Sequence, residues 1–348
     1  MKHGGDIYTA SEFIKKSLYE IIDMSSSVNP LPLPEKIKRK IIENIPLLHK
    51  YPDTEARAFR KTLSELYSVP FENIVCGNGS TELIYLIVRA LKPESVLILE
   101  PTFTEYERAC RINEIKSVKR VFTINQDEIF KKLKKEIEKT RFDMVFICNP
   151  NNPTGWILDK REILKLASNN KNSIFLIDEA FIDFVPDQSL IRESVSSNIV
   201  VLRSLTKFYG LAGLRFGYAV GKSEIIKKIK TYRYPWSINS LAQWIAEDII
   251  RDEDFKNKSL EYFKRQKDFF EYSLNELKLN YFPSVANFYL IEIQKKGIFQ
   301  FMLEKGILIR NCSDFYGLNE SFIRVSVKTS TENERFFREL KKFLGILE

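Results

Sequence analysis

The stretch Ile199-Val200-Val201-Leu202-Arg203-Ser204-Leu205-Thr206-Lys207 joins an unbroken apolar run to a pair of hydroxyl residues and a lysine. A continuous run of β-formers, rather than an alternating one, suits a strand buried on both faces, as in a parallel sheet. Four more runs upstream share this character: Ile74-Val75-Cys76, Val96-Leu97-Ile98-Leu99, Met144-Val145-Phe146-Ile147-Cys148 and Ile174-Phe175-Leu176-Ile177. Helical patterns lie between them, for example over residues 80–90 and 126–139. Strand–helix alternation of this kind predicts an open α/β sheet, in which ligands gather beyond the carboxyl ends of the strands.

The flanks read differently. Ser25-Ser26-Ser27-Val28-Asn29-Pro30-Leu31-Pro32-Leu33-Pro34 is a Ser- and Pro-rich connector. From about Trp244 the chain carries long charged helical patterns, strand-like runs over 286–293 and 321–327, and a closing helical pattern over 332–344. The expected organisation is an N-terminal arm (1–40) that joins a small α/β domain, a large α/β domain with a mainly parallel sheet (41–245), and the rest of the small domain (246–348).

At 348 residues, with 44% hydrophobic and 29% charged residues, the composition excludes a disordered chain, a collagen-like repeat and a disulfide-stapled mini-protein. No apolar run approaches the length of a membrane span, and the start Met-Lys-His-Gly-Gly-Asp lacks the apolar core of a secretion signal. The four cysteines (Cys76, Cys110, Cys148, Cys312) show no CxxC spacing, which predicts reduced, structural thiols and a cytoplasmic location. With only His3 and His49, a three-histidine metal site is impossible, and no metal is expected. The 54 Lys and Arg exceed the 46 Asp and Glu by 8. Nucleic acid is not the expected partner, because the basic clusters at 36–40, 131–135 and 227–230 are punctuated by apolar anchors like solvated helix faces. A modest positive field suits a small anionic substrate.

The chemistry lies just past each strand. Gly77-Asn78-Gly79-Ser80-Thr81-Glu82 follows the first and opens a helix, offering N–H groups, hydroxyls and a positive dipole end to a phosphate. It lacks the lysine of a P-loop and the third glycine of a dinucleotide fingerprint. Asn151-Asn152-Pro153-Thr154-Gly155 is a rigid polar turn, Asp178 closes another strand, and Arg215 follows Lys207 by eight positions. Taken singly these are a turn, a cap and a solvated lysine. Together they bring phosphate donors, an acid, an amide and a lysine to one sheet edge. A partly desolvated lysine can form a Schiff base with an aldehyde, and pyridoxal phosphate is an aldehyde that also needs a carboxylate at its ring nitrogen and donors at its phosphate.

The set Ser204-Leu205-Thr206-Lys207 with Arg215, Asn152-Pro153-Thr154-Gly155 and Asp178 resembles the fold-type I pyridoxal-phosphate enzymes, the aspartate aminotransferase superfamily. That resemblance implies Lys207 as Schiff-base lysine and Asp178 as partner of the ring nitrogen. It also implies Asn152 as donor to the phenolic oxygen, and Gly79, Ser80, Thr81, Ser204, Thr206 and Arg215 around the phosphate. Phe103 falls where the family stacks an aromatic ring on the cofactor, and Tyr51 where a tyrosine reaches the neighbouring subunit's site, which implies a homodimer. Within the superfamily, the segments His3-Gly4-Gly5, 203–209, 235–239, 306–312 and 322–327 are similar to threonine-phosphate decarboxylases of cobalamin biosynthesis and, next, to histidinol-phosphate aminotransferases. The implied substrate is an amino-acid phosphate bound by Arg310, Arg324, His3 and Asn152. Phe181 stands where aminotransferases of this group carry a tyrosine that donates to the phenolate, a departure that fits the decarboxylases.

Overall fold

The computed structural model describes residues 3–347. Thirteen strands follow in chain order: β1 (Ile22–Asp23), β2 (Ile74–Gly77), β3 (Ser95–Glu100), β4 (Ser117–Phe122), β5 (Met144–Cys148), β6 (Ile174–Asp178), β7 (Ile199–Ser204), β8 (Gly217–Val220), β9 (Asn280–Tyr281), β10 (Phe288–Glu292), β11 (Ile307–Leu308), β12 (Arg310–Asn311) and β13 (Phe322–Ser326). Seven of them form one sheet in the order β2-β8-β7-β6-β5-β3-β4. Every pairing from β7 to β4 is parallel, and β8 runs antiparallel to both of its neighbours. The mainly parallel α/β sheet read from the sequence is therefore present.

The five apolar runs occupy β2, β3, β5, β6 and β7, and β2, β5 and β7 are buried along their whole length. Residues pointing to one face join Leu83, Ile87 and Ile226 from the covering helices. Those pointing to the other join Leu133, Ile163 and Leu166. This two-sided burial explains why these strands lack alternation. The two strands without an apolar run are β4 and β8. β4 is an edge strand whose Lys119 and Arg120 interrupt the pattern, and β8 is four residues long with a glycine at its start. The helical pattern at 126–139 divides into a short 3-10 turn, Gln126–Glu128, and an α-helix, Ile129–Lys139.

The remaining strands build two smaller sheets, an antiparallel one in the order β12-β13-β10-β9 and a parallel pair of β1 with β11. The helices Glu253–Glu276 and Ser330–Leu344 bury Phe263, Phe270, Phe336 and Leu340 against the antiparallel sheet. Each helix begins at a side-chain cap, Asp252 accepting from the Phe255 N–H and Thr329 forming a capping box with Glu332. The Ser/Pro connector is ordered. Met24 donates its N–H to Leu308, Asn29 donates its N–H to the Lys207 carbonyl at 3.0 Å, and the Asn29 amide donates to Phe208 at 2.8 Å. It thus ties the small sheets to the loop that carries the lysine. No helix among the described residues is long and apolar enough to cross a membrane.

Candidate active site

A cavity of about 290 Å³ opens at the carboxyl ends of the parallel strands. Five of the strand ends deliver functional groups. Asp178 closes β6, Lys207 follows β7, Asn152 follows β5, Phe103 follows β3, and Ser80 and Thr81 open the helix Gly79–Leu91 after β2. From the small sheet come Arg310 and Arg324, which face each other across β12 and β13.

Lys207 is half-buried. That burial, and next the charges of Arg324, Arg215 and Lys328, depress its ammonium to about 8. Asp178 is buried, which pushes its carboxyl up, while donation from the Tyr106 hydroxyl (2.8 Å) and the Ala180 N–H (3.0 Å) pulls it back. Tyr106 is held by stacking on Phe146 and by the edge of Phe103. Below the site, buried Arg203 donates to Asp183 at 2.6 Å and to Glu179 at 3.5 Å, bracing the ends of β6 and β7. Burial pushes the Glu179 carboxyl up to about 7 against the pull of Arg203.

At the opposite end of the cavity the Ser204 and Thr206 hydroxyls lie 2.7 Å apart, next to Ser80, Thr81 and Arg215. Glycines permit this convergence. A Cβ on Gly217 would lie 2.4 Å from the Ser80 nitrogen, and one on Gly79, at φ +80°, would lie 2.7 Å from an Arg215 terminal nitrogen. Hydroxyls, a helix N-terminus and a guanidinium in one cradle form an anion site, here with the size and chemistry of a phosphate cup. A buried carboxylate and a half-buried lysine of lowered pKa lie beyond it. The donor set therefore fits pyridoxal phosphate.

Arg324 donates to the Asn152 side-chain oxygen and, at 2.6 Å, to the Ser25 carbonyl, so the Asn152 amide keeps its Nδ2 for another acceptor. The Arg324 Nε is buried without a partner, and burial depresses the guanidinium to about 10. Arg310 donates to Asp314 and lies over the Phe315 ring. His3 reaches the cavity from the N-terminal segment, its Nε2 3.2 Å from a Glu105 carboxylate oxygen. Gly4 packs where a Cβ would lie 2.2 Å from the Ser25 carbonyl, and the Gly5 N–H donates to the Ser25 hydroxyl at 2.8 Å. Phe181 is buried at the cavity wall, edge-on to Phe288, and brings no hydroxyl.

Among the residues expected from the sequence, the cavity gathers all but two. Gly79 lies just behind Arg215, and Tyr51 does not line the cavity at all; it is 81% exposed with its ring 4.9 Å from Trp236. Trp236 is itself exposed. All four cysteines are free and buried, and no cluster of metal-binding side chains exists among the described residues. Sequence reasoning missed Tyr106, Glu105, Lys328 and Asp314. Tyr106 sits three residues after Phe103 on the helix Glu105–Ile112, so helical spacing from a known site residue was the signal available. Nothing local marked Lys328, whose proximity to Lys207 is a product of the tertiary fold.

Known proteins share this architecture. The model of the aminotransferase class I and II family matches residues 19–340. The chain is 32% identical to the threonine-phosphate decarboxylase of Salmonella typhimurium, covering 98% of this chain and 96% of that one. It is 33% identical to the histidinol-phosphate aminotransferase of Methanococcus aeolicus, covering 94% and 91%. An adenosylcobalamin biosynthesis bifunctional protein of Leptospira interrogans is 34% identical over 96% of this chain, which spans 40% of that longer protein. The crystal structure of L-threonine-O-3-phosphate decarboxylase from Porphyromonas gingivalis superposes with a TM-score of 0.83 at 28% identity, over 93% of this chain and all of that one. The histidinol-phosphate aminotransferase of Sinorhizobium meliloti, solved with pyridoxal-5'-phosphate, shares the fold at a TM-score of 0.87 and 18% identity, over 97% and 94%. The chain belongs to the aminotransferase class I and II family and is a pyridoxal-phosphate-dependent enzyme of the fold-type I architecture.

Proposed function

We propose that the chain decarboxylates O-phospho-L-threonine to (R)-1-amino-2-propanol O-2-phosphate, a step of cobalamin biosynthesis. The observation that carries this reading is the pair Arg310 and Arg324, cross-strand neighbours in the same cavity as Lys207. Two guanidinium forks suit a substrate with two anions. The 32% relative supports the reading by its name. The second reading is histidinol-phosphate aminotransfer, favoured by the 33% relative and using the same residues with a different bond broken.

Pyridoxal phosphate, when bound, supplies an aldehyde that takes up an amine and a protonated ring that accepts the electrons of the broken bond. Ser80, Thr81, Ser204, Thr206 and Arg215 would hold its phosphate, Asp178 its ring nitrogen, Asn152 its phenolic oxygen and Phe103 one ring face. Arg310, Arg324 and His3 fix the substrate's phosphate and carboxylate, and so choose which bond at the α-carbon is presented for cleavage. The carboxylate leaves as carbon dioxide. Its bonding electron pair stays with the substrate until a proton replaces it, and the Lys207 Nζ can deliver that proton. The arm through Gly4 and Ser25 covers Arg324 and excludes water from the anion it holds. Incubated with O-phospho-L-threonine and no keto acid, the enzyme should release carbon dioxide and aminopropanol phosphate in equal amounts. A strict requirement for a keto acid would sink this reading.

The working unit is proposed to be a homodimer. Exposed Ile42, Ile45 and Leu48 adjoin the segment leading to Tyr51, and exposed Trp236 contacts the Tyr51 ring, an apolar surface of the kind that marks an interface. With Tyr51 serving the partner's site, mixing inactive Tyr51→Ala and Lys207→Ala chains yields heterodimers in which one of two sites carries neither lesion. A random mixture should recover about a quarter of wild-type activity. No recovery would place Tyr51 outside the partner's site.

A further inference from the structure

The two arginines that face each other across β12 and β13 are held in opposite electrostatic states. Arg324 has only neutral partners, the Ser25 carbonyl and the Asn152 side-chain oxygen, and its Nε is buried and unpaired. Its charge is uncompensated by any carboxylate in contact. Arg310, equally buried, spends its Nη2 on both carboxylate oxygens of Asp314, at 2.8 and 2.7 Å, and Nη1 on the Asn311 carbonyl at 2.8 Å. Its guanidinium is further steadied over the Phe315 ring, 5.1 Å to the centroid. Asp314 itself is 39% exposed, so it can turn into water when displaced without leaving a buried charge behind.

We propose that Asp314 is an internal counter-ion of Arg310, a built-in competitor that a substrate anion must displace to gain that guanidinium. The proposal rests on the reading of Arg310 as an anchor for one of the substrate's anions. A ligand must exchange with Asp314 to gain the whole Arg310 fork. A ligand carboxylate brings the same single charge as Asp314 and gains little by the exchange. A phosphate brings a charge of about −1.5 to −2 near neutral pH and three acceptor oxygens, so its attraction to the same guanidinium is larger at equal distance. The uncompensated Arg324 needs no such exchange.

The test uses the pyridoxal-phosphate-loaded enzyme at pH 8 and two ligands that lack an amine and so cannot react, phosphoglycolate and succinate, with binding measured by calorimetric titration. The wild type should prefer phosphoglycolate. In Asp314→Asn, which keeps an acceptor but removes the charge, the competitor is weakened for every anion, so phosphoglycolate should bind about fivefold to tenfold more tightly and succinate should gain no more than that. Asp314→Glu, which keeps the charge, should bind both ligands like the wild type, a result that a merely structural role does not produce. Asp314→Ser supplies the same charge contrast if Asp314→Asn folds poorly. No tightening of phosphoglycolate in Asp314→Asn, or a tightening confined to succinate, overturns the proposal. Arg310→Gln serves as the separate arm. If it leaves phosphoglycolate binding unchanged, the assignment of Arg310 as a substrate anchor fails; if it weakens that binding while Asp314→Asn binds phosphoglycolate no more tightly than the wild type, only the role of Asp314 fails.

Discussion

Replacing Lys207 by alanine is expected to abolish turnover and to leave no cofactor covalently fixed after borohydride reduction. The chain has many lysines, but most lie on solvated helix faces, where the ammonium keeps its proton near neutral pH. Lys207 is half-buried beside Arg324, Arg215 and Lys328, and its depression to about 8 leaves about half of it neutral at that pH. An ordinary lysine is neutral in roughly one molecule in a few hundred at pH 8. Only a neutral amine attacks an aldehyde. Capture of the cofactor by the cofactor-free protein should therefore speed up as pH rises to about 8 and then level off. Peptide mapping of the reduced enzyme should find the pyridoxyl group on Lys207. A label on another lysine, or capture that keeps accelerating toward pH 10, would contradict the assignment.

Asp178→Asn carries the second large effect. The substitution keeps shape and volume, leaves the Ser80–Thr81 helix start, Ser204, Thr206 and Arg215 in place, and removes the negative charge opposite the ring nitrogen. Cofactor should still bind through its phosphate, while turnover falls. Removing a preorganised electrostatic group commonly raises a barrier by about 2.7–4 kcal/mol, a loss on the order of a hundredfold to a thousandfold. Tyr106 makes the effect larger rather than smaller, because its hydroxyl is oriented to donate to Asp178 and is left facing an amide of weaker accepting power. Rates of single-turnover decarboxylation, compared with the cofactor dissociation constant, separate the two contributions. Near-normal turnover, or loss of cofactor in proportion to loss of rate, would remove Asp178 from its role.

Much of the cavity could be read from the chain because each functional residue sits a fixed few positions beyond a buried strand, and such strands announce themselves as unbroken apolar runs. Asp178, Asn152, Ser80 and Lys207 were all legible in that way, whereas Phe103 was placed by resemblance. The strands β4 and β8 were not, since an edge strand tolerates charge and a four-residue strand offers no period to detect. Tyr51 could be placed only by resemblance, and in a single chain it stands exposed on the surface. The electrostatic setting of Lys207 was the least legible. Lys328 and Arg324 lie more than a hundred residues downstream, and only the docking of the small sheet through the arm at residues 24–29 brings them close. The same holds for Arg310. Its position at a strand end was readable, whereas its neutralisation by Asp314 depends on the tight turn from Cys312 to Phe315.

The central claim is the choice of bond, and one reaction mixture tests it directly. Enzyme loaded with pyridoxal phosphate is given carboxyl-labelled O-phospho-L-threonine, L-histidinol phosphate and 2-oxoglutarate together, and the products are followed by nuclear magnetic resonance. The account predicts that the label moves into carbon dioxide and bicarbonate, matched by aminopropanol phosphate, while 2-oxoglutarate remains unconsumed. Glutamate accumulating from histidinol phosphate while the label stays in phosphothreonine would contradict it and assign the enzyme to amino transfer.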